Sequence, residues 1–282
     1  GSGVQWPMAS SMSPTLACAR CAPGTCNQCG CYATGVTAAI AFSSYLLLLF
    51  LSRVLSPYII PDTYARLRKT PSGCSYWDSS VVATFNAIVN CSLAIMAIVK
   101  EPDLVFGSDP YLITSESCLV VVVFTSWVAF ELLMQLIYWG LWPGGHSMVV
   151  HHGTACIAWG LFWQGGYGHG LQMFGVLCEL TNPFMSFRYF ISAMNLKESR
   201  LYIANGMCFL VSWILVRILL CPIGGTMLIW RQREPISELP LWRAIIMVGF
   251  FGLGTVLQLM WGRKIIMGAV SILTSKGHPK EA

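Results

Sequence analysis

Charge is scarce in this chain. Only 10% of its 282 residues are Asp, Glu, Lys or Arg, where a soluble domain carries about 25%. With 55% hydrophobic residues, a soluble globular domain is excluded, because one core of this length could not cover so much apolar surface. Histidine is rare too, with five residues, too few for the histidine boxes of a membrane di-iron desaturase. No glycine-rich phosphate loop is present. GFFGLG at 249–254 lies inside an apolar run and reads as close helix packing. No lysine stands within the last apolar run, since Lys264 lies at its end beside Arg263, and this argues against a retinal protein. A transporter could use Glu131, Glu179 and Arg217 as a relay, yet no inverted repeat supports one. The net charge of +5 calls for no nucleic acid, because basic ends facing anionic lipid head groups account for it.

Long apolar runs are what the chain does have. A bilayer span needs roughly 20 mostly apolar residues, and seven candidates occur, at 32–52, 79–99, 118–139, 148–163, 171–193, 201–227 and 244–261. The fourth is short and rich in histidine and glycine. No alternating ten-residue segments of a barrel are visible, so the spans are helices. The predicted fold class is all-α, a polytopic membrane protein of about seven transmembrane helices. Residues 1–31 form a Cys-rich flexible tail, 32–270 the transmembrane domain and 271–282 a basic tail.

Basic residues set the expected orientation. Arg53, Arg66, Arg68, Lys69, Lys197, Arg200, Arg263, Lys264, Lys276 and Lys280 fall on one side; Arg20, Lys100, Arg231, Arg233 and Arg243 fall on the other. The larger set is expected in the cytosol, so the N-terminus is lumenal or outside and the C-terminus cytosolic. No cleavable signal peptide is evident, and the first span is expected to act as its own insertion signal.

Near the N-terminus, CARCAPGTCNQCGC brings together Cys18, Cys21, Cys26, Cys29 and Cys31. Two CxxC pairs can bind zinc, but four residues between them leave little room for a tetrahedral site. Disulfides or a disordered tail, lipidated cysteines and a metal site all stay open; a lumenal location favours disulfides.

Ionisable groups inside a span cost at least about 2.5–3.5 kcal/mol each and mark function. HSMVVHHGTACIAW at 146–159 places His151 beside His152. His152, Cys156, Trp159 and Trp163 share one helical stripe, with His151 turned about 100° away. Trp127, Glu131, Gln135 and Tyr138 form a stripe on the third span, and Glu179, Asn182 and Ser186 one on the fifth, where Pro183 disturbs the backbone. Asn86 and Asn90 are four apart on the second span, and Arg217 stands deep in the sixth. The bland reading makes the amides interhelical glue and Arg217 a partner for one glutamate. Imidazoles near a carboxylate also suit proton transfer or acyl transfer, with Glu179 as the expected partner of a histidine.

The histidine pair, Trp159, Tyr167 and then CELTNPFMSFRYF at 178–190 resemble the TLC-domain family, which includes the ceramide synthases and other lipid-homeostasis proteins. The resemblance covers roughly 35–270. It implies a six-helix barrel around a lipid cavity, a location in the endoplasmic reticulum or, alternatively, the plasma membrane, and membrane lipids with fatty acyl chains as partners. The paired histidines of the ceramide synthases match His151 and His152. Their following His-Asp signature is absent, and Glu179, Thr181 and Asn182 stand in that region. The chain therefore looks more like the non-synthase branch, whose members are linked to membrane phospholipid composition.

Two functions are expected from this resemblance. One is acyl transfer from acyl-CoA, a co-substrate, to a lipid amine or hydroxyl. His151, His152 and Glu179 are then catalytic, with Glu131, Gln135, Trp159, Tyr167, Asn182 and Arg188 binding substrate. The other is a non-catalytic lipid sensor, regulator or trafficking adaptor that keeps the same cavity. No bound cofactor and no metal are assigned to the site, and homo-oligomerisation is left open.

Overall fold

The computed structural model describes residues 34–275. The five N-terminal cysteines and the tail lysines Lys276 and Lys280 lie outside the described residues. Among the described residues every regular element is helical, and the protein is an all-α polytopic membrane protein. Helix α1 spans Thr34–Ile59, α2 Pro61–Leu67, α3 Gly73–Lys100, α4 Asp103–Phe106 and α5 Ser115–Ile137. Helix α6 spans Gly145–Gly165, α7 His169–Leu177, α8 Asn182–Ala193, α9 Arg200–Ser212, α10 Cys221–Arg231, α11 Arg233–Ser237 and α12 Leu241–Ser275.

By length and composition, five described helices can cross a membrane: Gly35–Ile59, Gly73–Lys100, Ser115–Ile137, Arg200–Arg231 and Leu241–Ser271. The fourth and fifth expected spans are not among them. Helix α6 is diluted by glycine and histidine, and the fifth is broken into α7, a 3₁₀ turn at Cys178–Thr181, and α8. Both segments still run between the same two ends as their neighbours. At one end Gly168 N–H donates to Pro110 O at 2.7 Å and the Gln232 amide to Gly107 O at 3.4 Å. At the other, Arg66 donates to Ala193 O at 3.2 Å, the Trp142 indole to Ser75 at 3.0 Å and Tyr189 OH to Gly73 O at 3.2 Å. The connections thus alternate between two ends, and Arg66, Arg68, Lys69, Lys197 and Arg200 gather at the second.

Local sequence explains the breaks. Thr114 and Ser117 form a reciprocal capping box at the start of α5. Gly144 and Gly166 flank α6 with φ of 94° and 61°, values that glycine adopts without strain. Pro183 sits in the first turn of α8 and cannot donate to the preceding turn. Pro222 does the same for α10, and the residues before it, Trp213–Leu220, are wound as a π-helix. π segments often mark functional sites, and this one carries Arg217.

Buried polar contacts tie the first helices together. Asp78, fully buried, accepts from Ser52 at 2.8 Å and Tyr64 at 3.0 Å, and lies 3.4 Å from Arg53. One carboxylate thus joins α1, α2 and α3. Higher up, Tyr45 OH donates to Asn86 Oδ1 at 2.9 Å, and Asn90 donates to the same oxygen at 2.5 Å. The second bond lies within α3, while the first crosses between helices, and such interhelical bonds contribute about 0.6 kcal/mol each on average.

The glycines of α12 depart from the expectation of close packing. A Cβ added at Gly249, Gly252 or Gly254 would meet nothing within 4 Å. Close approach occurs elsewhere: a Cβ at Gly175 would come 2.8 Å from the Trp159 ring.

Candidate functional site

A cavity of about 160 Å³ opens within the bundle, similar in size to cavities known to admit small apolar molecules. Its walls come from α5, α6, α7 with the 3₁₀ turn, the π segment with α10, and α12; α1 and α3 stay outside it. The lining is aromatic and aliphatic along most of its length, with Phe124, Trp159, Phe174 and Phe251 among the walls. His151, His152, Glu179, Arg217 and Gln258 supply the polar surface at one part of it. Both histidines lie about 10 Å along α6 from its start at Gly145, at 1.5 Å per residue.

The face of α6 that lines the cavity is His151, His152, Thr154, Ala155, Ala158, Trp159 and Phe162. This is the expected stripe moved by about one residue, so both imidazoles face in and Cys156 and Trp163 do not line it. The His151 ring lies 5.2 Å from that of His152 and 5.3 Å edge-on to Trp261. His152 Nε2 makes no hydrogen bond among the described residues; the nearest carboxylate oxygen is Glu131 Oε2 at 3.9 Å. Glu131 is anchored from behind by Ser79, which donates to Oε1 at 2.9 Å.

Glu179 is placed differently from the expectation of a histidine partner. It accepts from Asn182 at 2.8 Å and from Asn86 at 3.4 Å. The broken fifth segment explains the geometry, because the 3₁₀ turn before Pro183 turns Glu179 and Asn182 to one side while leaving carbonyls open. Arg217 fills that opening: its Nε donates to Cys178 O at 3.0 Å and Thr181 Oγ1 at 2.7 Å. Its other nitrogens donate to Asn182 Oδ1 at 2.9 Å and Gln258 Oε1 at 3.0 Å, and its guanidinium lies 4.6 Å over the Trp213 ring. A charge this buried, 5% exposed, is tolerable only with such saturation.

Of the nine residues singled out from sequence, His151, His152, Glu179 and Trp159 line the cavity. Glu131 and Asn182 stand directly behind them. Gln135 is buried on the Glu131 face of α5, one turn further along. Tyr167 is fully buried in the turn after α6, with its ring 5.1 Å from Phe162. Arg188 lies 4.1 Å over the Tyr202 ring and outside the lining. Sequence reasoning missed Gln258 and Gln172 as lining residues. Each is a lone amide in an apolar run, a pattern that singles out no lining residue by itself. Among the described residues, no group of three or more His, Cys, Asp or Glu side chains could hold a metal ion.

The match to known proteins follows the same features. A family model described as the TLC domain matches residues 76–267, two thirds of the chain. The chain belongs to the TLC-domain family. Among its curated relatives is TLC domain-containing protein 4-B of Danio rerio, 26% identical over 219 residues, covering 75% of this chain and 80% of that protein. TLC domain-containing protein 4 A of Dictyostelium discoideum is 25% identical over 70% of this chain and 76% of its own length. TLC domain-containing protein 4 of Homo sapiens is 24% identical over 70% and 75%. No solved structure matches the chain. Membership in the TLC-domain family makes this an integral membrane protein with a lipid-related function.

Proposed function

We propose that this TLC-domain protein transfers an acyl group from acyl-CoA to a lipid amine or hydroxyl at the polar end of its cavity. The observation that carries the reading is the convergence of His151, His152, Glu179 and Arg217 on one largely apolar cavity within the membrane. His152 is the base. Glu131 faces it at 3.9 Å, and the contact shortens with substrate, as contacts in empty catalytic sites commonly do. The acceptor gives its proton to the imidazole as its oxygen or nitrogen bonds the thioester carbonyl carbon. The carbon–sulfur bond then breaks, and the coenzyme A sulfur takes the proton back. Arg217 uses three of its five N–H donors on Cys178, Thr181, Asn182 and Gln258. Two remain for the oxyanion, where such donors stabilise developing charge.

The proposed setting is the endoplasmic reticulum, with the Arg66–Arg68–Lys69 end in the cytosol. The histidines then lie within reach of cytosolic acyl-CoA, and its chain runs inward along the aromatic walls. A second reading, a non-catalytic lipid sensor, is favoured by one contact set: Glu179 is bound by Asn182 and Asn86 rather than by a histidine. Incubation of purified protein in lipid nanodiscs with acyl-CoA separates the two. Release of free coenzyme A with formation of an acylated lipid is expected; lipid binding without thiol release would leave only the sensor.

A further inference from the structure

Gln172 lies on α7, three residues after its start, and is 2% exposed. It lines the cavity, yet neither its amide nitrogen nor its amide oxygen has a hydrogen-bond partner among the described residues. Leaving one buried polar atom unpaired costs roughly 1–3 kcal/mol, and here one side chain leaves two. His169, one turn before Gln172 on α7, is engaged by Ser117 at 3.0 Å, and Arg243 lies 5.4 Å over the Tyr167 ring; neither lines the cavity. The titratable residues of the lining with the strongest charge, Glu179 and Arg217, belong to the other part of the cavity. Seven residues separate Gln172 from Glu179, about 10 Å at 1.5 Å per residue. Between them the walls are apolar, with Phe174, Trp159 and Phe124. In the turn beyond, Tyr167 is fully buried, its ring 5.1 Å from that of Phe162.

We propose that Gln172 makes the cavity selective for acyl chains that carry an uncharged oxygen function, a hydroxyl or a carbonyl, near mid-chain. A primary amide donates and accepts at once, and a hydroxyl complements both roles. A charged group finds no counter-ion in the cavity lining around Gln172 and is disfavoured. The roughly 10 Å between Gln172 and Glu179 puts the oxygen at mid-chain when the carboxyl or thioester group sits at the Glu179–Arg217 end of the cavity. The inference rests on reading the cavity as an acyl-chain site.

The test compares two probes on purified full-length protein: octadecanoic acid and 10-hydroxyoctadecanoic acid, measured by direct binding in nanodiscs. Wild type is expected to favour the hydroxylated acid by about tenfold, the scale of one buried hydrogen bond. Gln172→Leu, which removes both polar atoms at nearly constant volume, is expected to abolish the preference and to keep or improve binding of octadecanoic acid. A purely structural role for Gln172 would change both affinities together and leave their ratio intact. Equal affinity of wild type for the two probes would overturn the selectivity while leaving the acyl site standing, and it requires no variant to fold. Binding of neither probe would overturn the acyl-site reading together with this inference.

Discussion

Glu179 and Arg217 are joined through a single amide: Asn182 donates to the carboxylate at 2.8 Å and accepts from the guanidinium at 2.9 Å. Two opposite charges deep in a membrane protein are thus held in register without direct contact. Removing one partner leaves the other buried and uncompensated, a loss of about 3–5 kcal/mol. Arg217→Met is therefore expected to lower the thermal midpoint of the purified protein strongly. The double variant Glu179→Gln/Arg217→Met recovers most of the loss, because neither charge is then stranded. Simple additivity of the two single effects in a double-mutant cycle would show that the pair is not coupled.

Glu131 has a different partner set. Its bonds are to Ser79 and its near neighbour is His152, while Arg217 is occupied elsewhere. Glu131→Gln keeps an oxygen for Ser79, so the thermal midpoint is expected to stay within a few degrees of wild type. Lipid output per folded protein drops at least tenfold, as expected when the group that stabilises an imidazolium is lost. A large fall in stability with full specific output would instead make Glu131 a structural residue.

Gly254 lines the cavity and a Cβ there meets nothing within 4 Å. Gly254→Leu is expected to fill the space without unfolding the helix, since Leu is the better helix former by nearly 1 kcal/mol. Acyl-chain binding by the purified variant should fall while its melting temperature holds or rises. Unchanged binding would mean that lipid does not use this space.

The sequence made the helices and the buried ionisable groups legible because their cost in a bilayer is high at any position. It did not reveal who pairs with whom. Pro183 reads as a local disturbance and Pro222 gives no separate signal, yet the turns they break are the ones that bring Arg217 onto the Cys178 carbonyl. Asp78 stood just outside the expected second span and was passed over, although it ties three helices together. The GFFGLG run misled because small residues imply close packing only when another helix faces them, and no pattern on one helix reports that. Gln172 was hidden in the same way: a lone amide in an apolar run is ordinary until its neighbours are known to offer no partner.

Orientation gives an independent prediction. If the Arg66–Arg68–Lys69 end is cytosolic, a glycosylation acceptor inserted at residue 108, in the loop between α4 and α5, is modified in microsomes. One inserted at residue 141, between α5 and α6, is not. The reverse pattern would place the histidine end of the cavity away from acyl-CoA and remove the proposed donor.

His151 and His152 carry the central claim. Their rings face the cavity together, so His151→Ala and His152→Ala are each expected to lower acyl-CoA turnover by two orders of magnitude or more, and the double variant adds little, as for residues acting as one unit. The decisive measurement is the lipid profile of cells lacking the protein and re-supplied with either wild type or the double variant at matched membrane levels. The account predicts that wild type restores the profile and the double variant does not. Full restoration by the double variant would contradict it and leave the two imidazoles as buried packing.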